Sequence, residues 1–244
     1  MKFHGICGIF LWKMLKRPEF KVFLVAILLF SPLVGYAAQL YLKYFDFNEE
    51  NPLSEWGRMV LNGQVDYEVM KRGGDGYVQA LSEKACSALY YRIGYKLKDY
   101  PIMSWQWQVA KFPDKSAAGT GKEKDDYAAR VYVIFPFLSF SSSKFIEYVW
   151  DNDGPAGTIM KSPEGDNIML IVARSGKAKG QEWVNERRNV YEDYVLAFGK
   201  PPERRVGAIA IMCDADSTKS DAESMFDDIT ILNEKGTEWR VDKK

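Results

Sequence analysis

The feature that most constrains the fold is a series of short runs rich in β-branched and aromatic residues, separated by turn-forming or polar segments. Seven stand out: 88–95, 103–109, 129–135, 145–150, 167–174, 206–212 and 225–232. In Ser104-Trp105-Gln106-Trp107-Gln108-Val109 the two tryptophans and the valine share one face, as a period of two requires. In Arg130-Val131-Tyr132-Val133-Ile134-Phe135, Val131, Val133 and Phe135 form one face, and Arg130 and Tyr132 point the other way.

One helix interrupts the strands. From Asn185 to Phe198, Tyr191, Tyr194, Val195 and Phe198 recur at three- and four-residue spacing. Asn185 is a candidate N-cap, Gly199 stands past the end and Pro201-Pro202 closes the segment. The stretch Pro113–Asp126 is small, charged and glycine-containing, which predicts an exposed, mobile loop. Many short strands with a single amphipathic helix predict a mainly β protein, an antiparallel β-sandwich of jelly-roll type, with an open α+β arrangement as the alternative.

The 244 residues suffice for one main domain, given typical domain sizes of roughly 100–200 residues. Lys13, Lys16, Arg17 and Lys21 precede an uncharged run from Val22 to Leu42, the pattern of a secretory signal. Gly35 and Ala37 stand at the small-residue positions of a cleavage site. The run also nearly supplies the roughly 20 apolar residues of a membrane-spanning helix, so an uncleaved inner-membrane anchor is the rival reading. Residues 1–38 are thus expected to be a signal peptide or anchor, and 39–244 a β-sandwich domain in the periplasm or otherwise exported.

Five of the 33 basic residues and one of the 33 acidic residues lie before position 39, leaving the rest mildly acidic. Such a domain lacks the clustered Lys and Arg that displace phosphate counterions, so nucleic acid is not an expected partner. Cys7 falls in the leader without the preceding apolar stretch of a lipoprotein signal. Cys86 and Cys213 can form a disulfide in an oxidising compartment or remain two buried thiols.

The chemistry is limited by an absence. His4 is the only histidine and belongs to the leader, which excludes a Ser-His-Asp triad, a Cys-His dyad and His-bearing zinc sites from the exported domain. Paired carboxylates remain for glycoside hydrolysis, which needs an acid and a base or nucleophile roughly 5–9 Å apart. Asp151, Asp153, Glu192, Asp193, Asp214 and Asp216 are candidates. Asp214-Ala215-Asp216-Ser217-Thr218 is oxygen-rich in the way calcium prefers, but lacks the glycine and terminal glutamate of an EF-hand loop. A turn with Asp side chains bonding backbone amides is the other reading of that segment.

Trp105, Trp107, Tyr132, Trp150 and Trp183 can form a platform for sugar rings, with Arg130, Arg174 and Asp193 bonding hydroxyls. The alternative places the tryptophans between the sheets. Arg130 and Arg174 each end an apolar strand, and Asp193 lies in the helix expected to pack nearby, so a buried Arg–carboxylate pair is a further expectation that includes Arg188.

Several segments together resemble the bacterial domain-of-unknown-function 3047 family: Ser104-Trp105-Gln106-Trp107, Asp126 to Val133, Glu147-Tyr148-Val149-Trp150, Arg187 to Tyr194 with Phe198-Gly199, and Met212 to Thr218. The match runs in order from about Phe45 to Leu232. The family's typical threonine before the first Asp of the last motif is Cys213 here, which makes Cys213 a local substitution rather than half of a bridge. The resemblance implies an exported bacterial protein with a sandwich similar to carbohydrate-binding modules, and no established activity. The Phe226-Asp227-Asp228-Ile229 ending also looks like the last strand of such modules, an analogy of fold alone.

Together these readings favour non-catalytic binding of a glycan or other cell-envelope component. A carboxylate-dependent hydrolase of an envelope polysaccharide and a structural or assembly partner are the alternatives. The expected ligand residues are Trp105, Trp107, Arg130, Tyr132, Trp150, Arg174 and Asp193, with Asp214 and Asp216 as calcium ligands.

Overall fold

The computed structural model describes residues 40–116, 125–176 and 182–236. The expected leader lies outside these residues. Among them are thirteen strands and one helix: β1 (Tyr41–Phe45), β2 (Trp56–Asn62), β3 (Asp66–Arg72), β4 (Asp75–Glu83), β5 (Cys86–Tyr95), β6 (Ile102–Lys111), β7 (Arg130–Phe135), β8 (Lys144–Asp151), β9 (Ile159–Ser162), β10 (Gly165–Ser175), β11 (Val184–Asn189), α1 (Val190–Phe198), β12 (Val206–Asp214) and β13 (Asp221–Leu232).

The strands form two sheets of a jelly-roll-type sandwich. One runs β11-β6-β13-β4-β3, with β1 also on β13; the other runs β2-β5-β12-β7-β8-β10-β9. All pairings are antiparallel except β8 with β10. Alternation places Trp105, Trp107, Val109, Val78 and Phe226 of the six-stranded sheet against Leu89, Ile211, Val131, Val133, Ile146, Tyr148, Trp150 and Ile171 of the seven-stranded sheet. The expected inward face of 130–135 is the observed one.

Strand β13 changes parity midway. Ala222 and Phe226 point into the core before residue 227, and Ile229 and Ile231 after it. A bulge absorbs the extra residue: the register with β6 shifts between Asp227 and Thr230, and Asp228 takes a positive φ of 52°. Its carboxylate accepts from the Gln106 amide at 2.8 Å and the Tyr44 hydroxyl at 2.5 Å, fixing β6 and β1 at the kink.

The helix is shorter than the spacing predicts. Residues 184–189 are strand β11, which pairs along the otherwise open edge of β6 and satisfies its backbone groups. The N-cap is therefore Asn189, not Asn185: its side chain accepts from the Glu192 amide at 3.2 Å. Glu192 and Asp193 occupy the first turn, and Gly199 ends the helix with φ 71°, a conformation that costs a glycine little. Asp193 accepts a bidentate pair of bonds from Arg188, at 2.9 and 2.6 Å, and a third from the Tyr148 hydroxyl at 2.7 Å, which ties the helix to β8.

Candidate functional site

The outer face of the seven-stranded sheet carries an open cleft of about 770 Å³, within the range of roughly 300–1,000 Å³ typical of ligand sites. Its floor is cut by small residues. Ala208 and Ala210 on β12 and Ala88 on β5 stand where larger side chains would fill the space, with Gly207 at one end. Ala210 is flanked by Tyr90 on β5 and Tyr132 on β7, both half-buried. Two strand spacings place these tyrosines roughly 9–10 Å apart at their backbones.

Gly57 on edge strand β2 keeps one wall open. It pairs with Tyr90, and a Cβ at position 57 would lie 2.3 Å from Cζ of the tyrosine ring. The ring therefore lies over the bare backbone of β2 instead of standing over Ala210.

One end of the cleft is polar and centred on Arg130, which is 2% exposed. Its Nη1 donates to Glu147 Oε1 and lies 3.4 Å from the Tyr132 hydroxyl; its Nη2 donates to Asp214 Oδ2 at 2.6 Å and to the main-chain carbonyl of Asp125. A planar guanidinium with several donors suits such a cluster, where a point charge would not. The Tyr127 ring covers the group, with the guanidinium carbon 4.9 Å and the Lys115 ammonium 3.9 Å from its centroid.

Burial raises two of the acids. It pushes Asp125 up to about 6 and Asp214 up to about 7, opposed in both cases by the positive charge of Arg130. Two buried atoms of the cluster have no hydrogen-bond partner among the described residues: Asp125 Oδ1, an acceptor, and Arg130 Nε, a donor. Asp125 Oδ2 accepts from Ser162 at 3.3 Å.

The turn at 215–219 is held by carboxylates bonding backbone amides. Asp126 accepts from the Thr218 amide and hydroxyl, each at 2.6 Å, and from the Ser217 amide at 3.3 Å; Asp214 Oδ1 accepts from the Asp216 amide at 3.3 Å. Donor atoms of Asp214, Asp216 and Cys86 lie within 4.8 Å of one another. This set does not fit calcium, which takes six to eight oxygens. One ligand atom is a thiol, Asp214 Oδ2 already holds Arg130, and Asp216 Oδ2 accepts from Asn62 at 2.7 Å.

Of the expected ligand residues, Arg130 and Tyr132 line the cleft together with Asp214 and Asp216. Trp105, Trp107 and Trp150 do not: at 1%, 0% and 2% exposure they sit between the sheets, where no sugar can reach a ring face. Trp183 packs on Tyr77 and beneath Arg72 of the other sheet. Arg174 pairs with Glu186 at 2.8 Å, and Asp193 faces Tyr148 and Arg188, so both serve packing away from the cleft.

The segment expected to be an exposed loop ends in buried residues, Asp125 and Asp126. Positions 117–124 lie outside the described residues. Sequence reasoning missed Asp125, Glu147 and Tyr90. Glu147 had a signal, a lone charge within the apolar run Phe145-Ile146-Glu147-Tyr148-Val149-Trp150. Cys86 and Cys213 are both free and buried. Cys86 lines the cleft and Cys213 belongs to the core, so they leave opposite faces of the sheet.

Fold and cleft define a two-sheet β-sandwich with a ligand-sized site on the outer face of one sheet. The chain belongs to the family of proteins of unknown function DUF3047, whose model matches residues 54–230. No curated protein matches the sequence. Solved structures of similar architecture include the endoglucanase Cel12A from Rhodothermus marinus, with 12% identity over 78% of this chain and 95% of that one and a TM-score of 0.44. The xyloglucanase domain of NopAA from Sinorhizobium fredii has 12% identity over 73% and 93%, with a TM-score of 0.42. The xylan-binding CBM22-1 domain of Paenibacillus barcinonensis Xyn10C has 12% identity over 81% and 96%, with a TM-score of 0.39. Values this low describe the sandwich alone.

Proposed function

We propose that this is an exported, non-catalytic protein that binds a glycan of the cell envelope in the cleft of the seven-stranded sheet. The observation that carries this reading is the alanine floor between Tyr90 and Tyr132, ending at the Arg130 cluster. With the Tyr90 ring laid over Gly57, the alanine floor beside Tyr132 stays open to a flat ring, which it can meet at carbon contacts of roughly 3.5–4 Å. Aromatic walls beside a few fixed hydrogen-bonding groups suit a sugar, which has apolar faces and a polar rim. The basic, apolar leader supports export.

Titration calorimetry of the full-length protein with envelope polysaccharides and a glycan array tests the reading. Saturable binding is expected, with loss of at least tenfold in affinity for Ala210→Trp, an estimate of about 1.4 kcal/mol or more. Silence in both assays sinks it.

A hydrolase reading has one observation in its favour: the Asp214 carboxyl, pushed up to about 7, can hold a proton near neutrality as a general acid does. Against it, the guanidinium of Arg130 fills the space between Asp214 and Glu147, where a glycosidic bond would have to sit. Release of new reducing ends, abolished in Asp214→Asn, would establish the hydrolase instead.

A further inference from the structure

The charge lining the cleft goes further than a generic sugar. Five acids line it, Asp125, Glu147, Glu164, Asp214 and Asp216, against two arginines. Arg130 is already engaged by Glu147, Asp214 and the Asp125 carbonyl, and its Nη1 stands 3.9 Å from Asp125 Oδ2, so one guanidinium is shared among three of these acids. Arg92 is exposed and stands beside Ala208, six residues along β12 from Asp214, or roughly 20 Å away. The polar end is therefore an acidic pole with no free cation of its own among the described residues lining it.

The unpartnered atoms give the second observation. Asp125, only 6% exposed, lines this pole, and its Oδ1 has no donor among the described residues. A buried acceptor without a donor is costly, so a ligand that supplies a donor gains on binding. An ammonium offers three donors and no acceptor lone pair. Arg130 Nε asks for the opposite, an acceptor, which a hydroxyl next to the amine supplies.

Resting on the glycan reading, we infer that the cleft selects a sugar bearing a free amine beside a hydroxyl, an unacetylated amino sugar, and rejects uronic acids and phosphorylated or sulfated glycans. The amine sits at Asp125 and the ring between Tyr90 and Tyr132. Acidic sugars meet like charge at the pole and are repelled.

The test uses full-length protein at a pH just above 6, where the Asp125 carboxyl, pushed up to about 6 by burial, and the sugar amine both carry substantial charge. Oligomers of β-linked glucosamine are titrated beside their N-acetylated counterparts, neutral cello-oligosaccharides and oligogalacturonates of matched length. The glucosamine series should bind at least about tenfold more tightly than the N-acetylated one, the value of one charge-assisted hydrogen bond. That preference should collapse in Asp125→Asn while the circular dichroism spectrum stays unchanged. Equal affinity for amine and acetamide, or tightest binding of the oligogalacturonates, overturns the inference and leaves the glycan reading standing. A melting shift with calcium alone that blocks the glucosamine oligomers also overturns it, by assigning the carboxylates to a metal. If none of the oligosaccharides binds, the glycan reading fails and takes this inference with it.

Discussion

Glu147 and Asp214, on strands that flank β7 from either side, are held on the two terminal nitrogens of a single guanidinium, that of Arg130. Truncating the arginine leaves both acids buried without their cation. Arg130→Ala should cost about 3–5 kcal/mol, and Arg130→Lys a smaller part of that because one ammonium cannot serve both acids and the Asp125 carbonyl at once. Urea unfolding monitored by tryptophan fluorescence measures it. An unchanged midpoint for Arg130→Ala would show that the cluster contributes nothing to holding the sheet.

The two cysteines give a second expectation. Asp214 pairs with Cys86 across β12 and β5, and Cys213 with Ser87, so the thiols project to opposite sides of one sheet. No bridge can join them without unpairing the strands. Burial pushes the Cys213 thiol up to about 12 and raises that of Cys86 as well, which keeps both in the unreactive thiol form. Native protein should resist maleimide at both positions, and unfolding without reductant should expose both to labelling. A cross-linked form that reductant converts back, or a labelling deficit after unfolding that reductant restores, would contradict this.

Gly57 sets the width of the cleft. A side chain there collides with the Tyr90 ring, 2.3 Å from the nearest ring atom. Gly57→Val should swing the ring over Ala210 and weaken ligand binding by roughly tenfold or more, about 1.4 kcal/mol, with little loss of stability since β2 is an edge strand. Binding isotherms and melting curves of the variant separate the two effects. Undiminished affinity would mean that Tyr90 does not border the bound ligand.

Stability should depend on pH through Asp125 and Asp214. Their folded values, about 6 and about 7, lie above the unfolded value of about 3.9. Between these limits the native state binds more protons than the unfolded chain, so stability falls as pH rises. Their contribution is complete below about pH 4 and gone above about pH 7. Glu186, also raised by burial, acts in the same sense, while Asp114, Glu203 and Asp221, lowered by their hydrogen-bond partners, act in the opposite one. The clean comparison is therefore with Asp125→Asn/Asp214→Asn, whose melting temperature should fall less than the wild type's between pH 5 and pH 8. Parallel curves would remove the two acids from the balance.

The strands that read clearly from sequence are those that bury one whole face. β6, β7 and β8 alternate or run continuously apolar because large side chains fill the space between the sheets. β4 escaped notice because its inward residues are small, Val78, Ala80 and Ser82. β2 is an edge strand whose consecutive residues Met59, Val60 and Leu61 are exposed on both of its faces, so no polar alternation marks it. β11 read as helix because its polar residues carry no period of their own; only the open edge of β6 makes it a strand.

The site was half legible. Arg130 and Tyr132 announced themselves by facing away from an apolar strand face. Asp214 was legible as a candidate carboxylate but not as a partner of Arg130, and Asp125 and Glu147 were missed. These groups meet only in the folded sheet, through strand pairing and the placement of the segment before β7, which sequence spacing does not encode. The tryptophans misled for a simple reason: a ring able to stack on a sugar is equally able to fill a core, and the alternation that placed Trp105 and Trp107 with Val109 already put them inside.

Strand β12 serves two surroundings within nine residues. Its odd positions, Ile209, Ile211 and Cys213, face the core, and its even positions, Ala208, Ala210 and Met212, line the cleft. Exchanging one small even residue for another of different size reshapes the recess without disturbing the packing beneath. Such a strand lets the shape of one face vary by single substitutions while the scaffold stays as it is.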